Sequence, residues 1–248
     1  MQNFLYSSSV MLKHLFLTGF GQNDKQFLDL FDSKFTSDNI SLEYHRYKNY
    51  EDLSKTVIKK HYKGIVGWSL GGQIACRLLA DKLITADHLL LISAPFKFIG
   101  RYGLSDFIFT MFKLQLMQDH NLALESLSNK INSSVKLETN EDKSNLLGWL
   151  DELENFDCSS LDFSNFPTTI YLAGENDNII SPRQIDLFRN KIKDFADIII
   201  KNCGHAPHYE LYAPEVDLPS WKDLLGIAPE ATGELLSEEF VRNLRNEW

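Results

Sequence analysis

The segment Gly67-Trp68-Ser69-Leu70-Gly71 constrains this chain more than any other. It lies between two stretches of different periodicity. Residues 62–66 form a short apolar run that reads as a buried strand, and residues 70–82 carry the spacing of a helix. A chain that passes from strand to helix with one serine between them must reverse at that serine. So sharp a reversal puts Ser69 in a strained backbone conformation, and a Cβ two residues to either side would collide with the turn. Gly67 and Gly71 meet that requirement. The turn lifts the Ser69 hydroxyl clear of the sheet edge, within reach of a base. Taken alone, the same residues also describe a tight glycine-rich strand–helix turn without chemistry.

Strands and helices alternate along the rest of the chain. Residues 10–17 read as a first core strand ending at Thr18-Gly19-Phe20-Gly21. Residues 24–31 show helical spacing, with Phe27, Leu28 and Phe31 on one face. Ile40, Leu42 and Tyr44 alternate, so residues 40–47 read as a strand, and residues 50–60 as a short amphipathic helix. Residues 87–93, 168–173 and 197–200 are further apolar strands. Residues 182–192 read as a helix with proline in its first turn. Such alternation implies an α/β fold, a mostly parallel sheet with helices on both faces.

Residues 96–166 break the pattern. Helical spacings recur there (Phe107, Met111, Leu114, Met117) and no strand is evident. A connection of about seventy residues far exceeds the usual few. The expected organisation is a core of residues 1–95 and 167–248 carrying a helical lid at 96–166, its aromatic side chains facing an apolar pocket. An ordinary peripheral helix pair is the plainer reading. The tail beyond Tyr209 contains Pro214, Pro219 and Pro229 and is expected to end in a helix from Gly233 onward.

Charge and cysteine usage narrow the class. A formal net charge of −9 argues against general nucleic-acid binding and against adhesion to an anionic membrane. Cys76, Cys158 and Cys203 are scattered and form no CxxC pair, so neither a disulfide framework nor a zinc site is suggested. A soluble protein of the reducing cytoplasm is expected, with no metal and no cofactor. Its oligomeric state is open.

A serine hydroxyl needs a base to take its proton, and the base needs an orienting carboxylate. Gly174-Glu175-Asn176-Asp177 follows one expected strand, and Cys203-Gly204-His205-Ala206-Pro207 follows the last. Asp177 and His205 therefore fall beyond strand carboxyl ends, where open α/β sheets bind ligands. Singly, Asp177 also fits a helix-capping aspartate and His205 a surface-loop histidine. His208 is a rival base. Jointly, Ser69, Asp177 and His205 give the chain order Ser, acid, His.

These residues resemble the α/β-hydrolase superfamily along nearly the whole chain. Within it, Gly-Trp-Ser-Leu-Gly-Gly at 67–72, the G-x-x-D loop at 174–177 and the G-H-A-P loop at 204–207 are similar to the pimeloyl-acyl-carrier-protein methyl ester esterases of biotin synthesis. The resemblance implies hydrolysis of the methyl ester of pimeloyl carried on acyl carrier protein, whereas spacing alone implies an ester-type hydrolase. It also implies an oxyanion hole built from the N–H of Leu70 and an N–H of the early loop, here Phe20. That loop departs from the family's His-Gly-Trp-Gly: Thr18 stands for the histidine and Phe20 for the tryptophan.

Substrate-binding expectations follow from the same picture. Trp68, Phe20 and the lid aromatics, Phe107 among them, are expected to line the acyl channel. Lys97, Arg101 and Lys113 lie in the first half of the lid, where only Asp106 opposes them, and suit an acidic carrier protein. Ordinary solvated lid charges fit as well. Alternatives on the same triad are a broad carboxylesterase, a thioesterase or a carbon–carbon bond hydrolase. A non-catalytic binding protein on the same scaffold is a further class, and such proteins usually lack a triad member.

Overall fold

The computed structural model describes residues 13–32, 39–57, 59–101, 103–131, 135, 137 and 142–211. The expected start of the first strand at residues 10–12 and the expected helix from 233 lie outside them.

Among the described residues six strands form one sheet: β1 (His14–Leu17), β2 (Asn39–Ser41), β3 (Lys60–Trp68), β4 (Ile84–Ile92), β5 (Thr168–Gly174) and β6 (Ala196–Lys201). Their order is β2-β1-β3-β4-β5-β6, and every pairing is parallel. Consecutive residues of β3 (Ile65, Val66) and β4 (Leu89, Leu90, Leu91, Ile92) are fully buried, so both faces of the sheet are covered. Continuous apolar runs, rather than alternating ones, are what a sheet buried on both faces requires.

The covering helices are α1 (Asp24–Asp32), α2 (Tyr50–Thr56), α3 (Leu70–Ala80), α7 (Pro182–Ile192) and the short α8 (Pro207–Leu211). Phe27 and Phe31 of α1 pack on Phe16 of β1, with ring centroids 6.2 and 5.1 Å apart. Phe188 of α7 meets Tyr171 of β5 edge to face at 4.7 Å.

Three expected boundaries are corrected. The strand at 40–47 stops at Ser41, and Tyr44–Arg46 is a 3-10 turn. Of the alternating residues only Tyr44 is buried, while Ile40 and Leu42 are half-buried like Ser41 and Glu43. Tyr44 leaves the sheet to donate its hydroxyl to the Thr18 carbonyl (3.1 Å) and to pack on Trp149 (5.0 Å). Helix α2 ends at Thr56, because Lys60 and Tyr62 pair with Ile84 and Ala86 and belong to β3. By the same pairing β4 begins at Ile84 rather than Asp87.

Between β4 and β5 lie α4 (Asp106–Gln118), α5 (His120–Ile131) and α6 (Lys143–Asn155). Helix α6 is fastened to the core by polar contacts at roughly one-turn intervals. Asn145 donates to the His45 carbonyl (3.2 Å) and the Trp149 indole to the Tyr47 carbonyl (2.8 Å). Glu152 accepts from the Tyr50 N–H (3.0 Å) and from Arg77 of α3 (2.7 Å). Helices α4 and α5 instead rest on the loop after β1, where Phe112 meets Phe20 at 6.2 Å. Among the described residues no helix is long and apolar enough to cross a membrane.

Candidate active site

Strand β3 ends at Trp68, and the chain turns at Ser69 with φ 52° and ψ −118°. This is a costly conformation for a residue with a Cβ, and the surroundings enforce it. The Ser69 N–H donates to the Ile92 carbonyl (2.8 Å), and the Ser69 carbonyl accepts from Gly72 (3.0 Å) and Gln73 (3.3 Å). A Cβ on Gly71 would stand 2.3 Å from the Leu17 carbonyl oxygen, and one on Gly67 2.7 Å from the Gly72 Cα. Both positions exclude a side chain, as the sequence reading required.

Asp177 follows β5. Its Oδ1 accepts the N–H groups of Ile179 (2.7 Å) and Ile180 (2.8 Å), which leaves Oδ2 aimed at His205. His205, on the loop after β6, has Nδ1 2.7 Å from Asp177 Oδ2 and Nε2 3.0 Å from Ser69 Oγ. A carboxylate at Nδ1 keeps the proton there and presents Nε2 as an acceptor toward the hydroxyl. All three side chains are buried. The residues singled out in the sequence thus meet as an uninterrupted hydrogen-bonded chain.

The N–H groups of Phe20 and Leu70 open the loop after β1 and helix α3. Among the described residues no hydrogen bond occupies either. The substituted loop has its own supports, which the sequence did not signal. Tyr44 holds the Thr18 carbonyl, the buried Thr18 hydroxyl donates to the Gln22 carbonyl (3.4 Å), and the Gln22 amide donates to the Tyr209 hydroxyl. Burial pushes the Tyr209 hydroxyl up to about 12, so it stays protonated at neutral pH.

His208 stands outside the hydrogen-bonded chain that joins Ser69, His205 and Asp177. Its ring is wholly buried between Phe27 (5.4 Å), Trp68 (5.0 Å) and Tyr209 (4.8 Å), and among the described residues neither nitrogen has a hydrogen-bond partner. Burial, and after it the charge on His205, holds its pKa well below the usual histidine range.

The expected substrate contacts fare differently. Phe20 lies in the loop, its ring under Phe112. Trp68 is corrected: it is 1% exposed, and its indole N–H donates to the His205 carbonyl at 3.0 Å, so it belongs to the interior and not to a channel wall. Phe107 is corrected too. It is 73% exposed, and Met111, Leu114 and Met117 share its exposed face, while Phe109 and Leu116 are buried. The helix is where the periodicity put it, but its opposite face turns inward. Lys97 pairs with Asp157 (3.5 Å), and Lys113 pairs with Asp151 and with Glu154 (3.4 Å). Asp106 is therefore not the only opposing charge. Arg101 is exposed. Among the described residues no three His, Cys, Asp or Glu side chains are grouped to hold a metal ion.

Comparison with known proteins follows this geometry. The model of the alpha/beta hydrolase family matches residues 17–216. A pimeloyl-[acyl-carrier protein] methyl ester esterase of Nitrosomonas europaea is 23% identical over 166 residues, which are 58% of this chain and 64% of that protein. The chain thus spans somewhat under two thirds of that relative. The Legionella pneumophila (strain Corby) protein of the same name is 24% identical over 164 residues, 62% of this chain and 68% of its own length. Among solved structures, an esterase from Exiguobacterium antarcticum superposes with a TM-score of 0.68 at 14% identity, covering 89% of this chain and 91% of its own. An enol-lactonase from Burkholderia xenovorans does so with a TM-score of 0.59 at 12% identity, covering 80% and 86%.

Proposed function

The chain belongs to the alpha/beta hydrolase family, and from that premise we propose that it is a serine carboxylic-ester hydrolase with Ser69 as nucleophile, His205 as general base and Asp177 as orienting acid. One observation carries the reading: the imidazole of His205 is bonded at once to the Ser69 hydroxyl and to the Asp177 carboxylate. In the first half-reaction Ser69 Oγ attacks the ester carbonyl while Nε2 of His205 takes its proton. The N–H groups of Phe20 and Leu70 receive the oxyanion at the preorganised start of α3 and at the loop beside it. Collapse expels the alcohol, which takes the proton from His205, and leaves an acyl-serine. Water attacks that ester with His205 again as base, releasing the carboxylic acid and restoring Ser69. Asp177, anchored by two backbone N–H groups, keeps the imidazole in the tautomer both halves need.

The substrate class we favour is an acyl methyl ester, with pimeloyl carried on acyl carrier protein as its leading member. The support is the resemblance of the 67–72, 174–177 and 204–207 segments and the two curated relatives bearing that name. In this reading residues 96–166 act as the lid, with α4 and α5 its moving part, because α6 is bonded to the core along its length. A second reading, a broad esterase for small free esters, is favoured by the internal ion pairs of Lys97 and Lys113, for which an acidic carrier would have to compete.

The test uses the full chain. Ser69→Ala should abolish fluorophosphonate labelling and ester turnover in folded protein. The parent should restore growth to a biotin-requiring strain lacking its pimeloyl esterase, and Ser69→Ala should not. Labelling of Ser69→Ala equal to the parent removes the triad. Labelling of the parent without rescue removes the pimeloyl substrate and leaves the esterase. Reversing Lys97, Arg101 and Lys113 together should slow carrier-bound esters while sparing small ones; equal losses remove the docking idea.

A further inference from the structure

Trp68 occupies an unusual place. It precedes Ser69 in the chain, so its backbone fixes the entry to the elbow. Its indole N–H donates to the main-chain carbonyl of His205 at 3.0 Å, and its ring lies 5.8 Å from the His205 ring. The far side of the indole closes against the loop after β1: a Cβ on Gly19, next to Phe20, would stand 2.6 Å from Trp68 Cε3. Phe27 stacks on it at 6.3 Å and His208 abuts it edge-on at 5.0 Å. One rigid side chain therefore touches the base loop and the oxyanion loop, and is bonded to the nucleophile. A phenylalanine or leucine could fill the same interior volume. Only an indole also supplies a donor at its edge for a carbonyl that lacks a strand partner.

We propose that Trp68 is a positioning residue that sets the three loops in register, through its N–H to His205 and its ring against Gly19. The proposal rests on the serine-hydrolase reading above. Its energetic content is orientation: displacement of a reacting group by about 1 Å costs on the order of 100-fold in rate. Substrate affinity is not involved, because the indole is 1% exposed and its one polar atom is engaged by the His205 carbonyl.

Four variants test it, with Ser69→Ala as a control. Replacing Trp68 with β-(3-benzothienyl)alanine exchanges the N–H for sulfur at nearly constant shape. We expect kcat to fall about 10-fold with KM within about 2-fold and the melting temperature little changed, as for loss of one positioning hydrogen bond. Trp68→Phe should fall at least as far. Phe27→Leu removes a stacking partner from the same ring and leaves the N–H in place, so it should lower the melting temperature while sparing kcat. Gly19→Ala presses a methyl group on the indole, and its loss in kcat should be sub-additive with Trp68→Phe. The downfield proton resonance of His205 Nδ1–H should broaden in the benzothienyl protein and stay sharp in Phe27→Leu. Unchanged kcat in the benzothienyl protein, or losses in all variants that merely track melting temperature, overturns the proposal. Ser69→Ala separates the two readings: if it is inactive while the benzothienyl protein is fully active, the triad stands and the positioning role falls.

Discussion

Exchanging Asp177 for asparagine tests how strongly the site depends on the orientation of its imidazole. Asp177 Oδ1 accepts two backbone N–H groups at 2.7 and 2.8 Å, and Oδ2 accepts from His205 at 2.7 Å. Asparagine has one acceptor oxygen for those two tasks. With its oxygen left on the loop, the NH2 faces His205 Nδ1. The imidazole must then carry its proton on Nε2, facing Ser69, where it cannot act as base. With the amide flipped, the tautomer is right but two buried N–H groups lose their acceptor, at about 1–3 kcal/mol each. The unproductive orientation is therefore favoured by roughly 2–6 kcal/mol, about 30-fold to 3 × 10⁴-fold in the productive population. Loss of the charge that stabilises the imidazolium adds to this, so kcat should fall about 10⁴-fold, the size seen when a triad carboxylate becomes an amide. Because the unproductive orientation keeps the loop bonds, stability should drop by only about 1–2 kcal/mol. Hydrolysis of a p-nitrophenyl ester at pH 8, with urea unfolding in parallel, reads both quantities. A folded Asp177→Asn protein retaining more than about a tenth of parental kcat would refute the argument, because the imidazole would then find its tautomer without the carboxylate.

Other predictions follow from single features of the fold. His208 is buried with its pKa depressed, so below about pH 6.5 the unfolded chain binds a proton that the native state refuses. Stability should hold above about pH 7 and fall with acidification by up to about 1.4 kcal/mol per pH unit from this group. His14, whose pKa burial also lowers beside Lys63 and His88, steepens the fall. Melting curves between pH 5 and 7.5 should flatten in His208→Phe, and parallel curves would contradict the assignment. The Arg77 guanidinium lies 3.7 Å from the Tyr50 ring centroid and 2.7 Å from Glu152, so Arg77→Met should cost about 2–3 kcal/mol in urea unfolding. Gly71→Ala drives a methyl group into the Leu17 carbonyl, and a loss of about 3 kcal/mol or failure to accumulate folded protein is expected from expression and melting assays.

The sequence made some of this architecture legible and hid the rest for physical reasons. Ser69, Asp177 and His205 could be read because each follows an apolar run at a fixed short distance, and the runs became β3, β5 and β6. Helix α7 matched residue for residue, since proline marks its start and its buried face is strongly periodic. Tyr44 misled because apolar residues at alternate positions suit both a strand and a turn that tucks one ring inward. The inward face of α4 was read wrongly because apolar residues ring most of it, so periodicity could not choose between Phe107 and Phe109. The pairings of Lys97 and Lys113 were not legible because their partners are remote in sequence: Asp157 for Lys97, Asp151 and Glu154 for Lys113. Trp68 gave no hint of its donor role, since a partner 137 residues away leaves no local signal.

Strand register explains how such distant residues come to meet. Leu17 pairs with Gly67 across β1 and β3, so Phe20 and Leu70, each three residues beyond that pair, lie side by side. Gly174 pairs with Lys201 across β5 and β6, which sets Asp177 and His205, three and four residues on, against each other. Trp68 pairs with Ile92, and Ile92 with Leu172, so one row of the sheet fixes the heights of Ser69 and Asp177. The chain leaves β1 toward β2 on one side and continues at β3 on the other, and such a reversal of strand order is where open α/β sheets bind ligands. A slip of one residue in any of these pairings would move its loop by about 3.3 Å and turn every side chain of that strand to the other face. The hydrogen-bonded chain from carboxylate to imidazole to hydroxyl tolerates no such step. The buried, continuous strands that hold the register are therefore as much a requirement for the proposed chemistry as the three side chains.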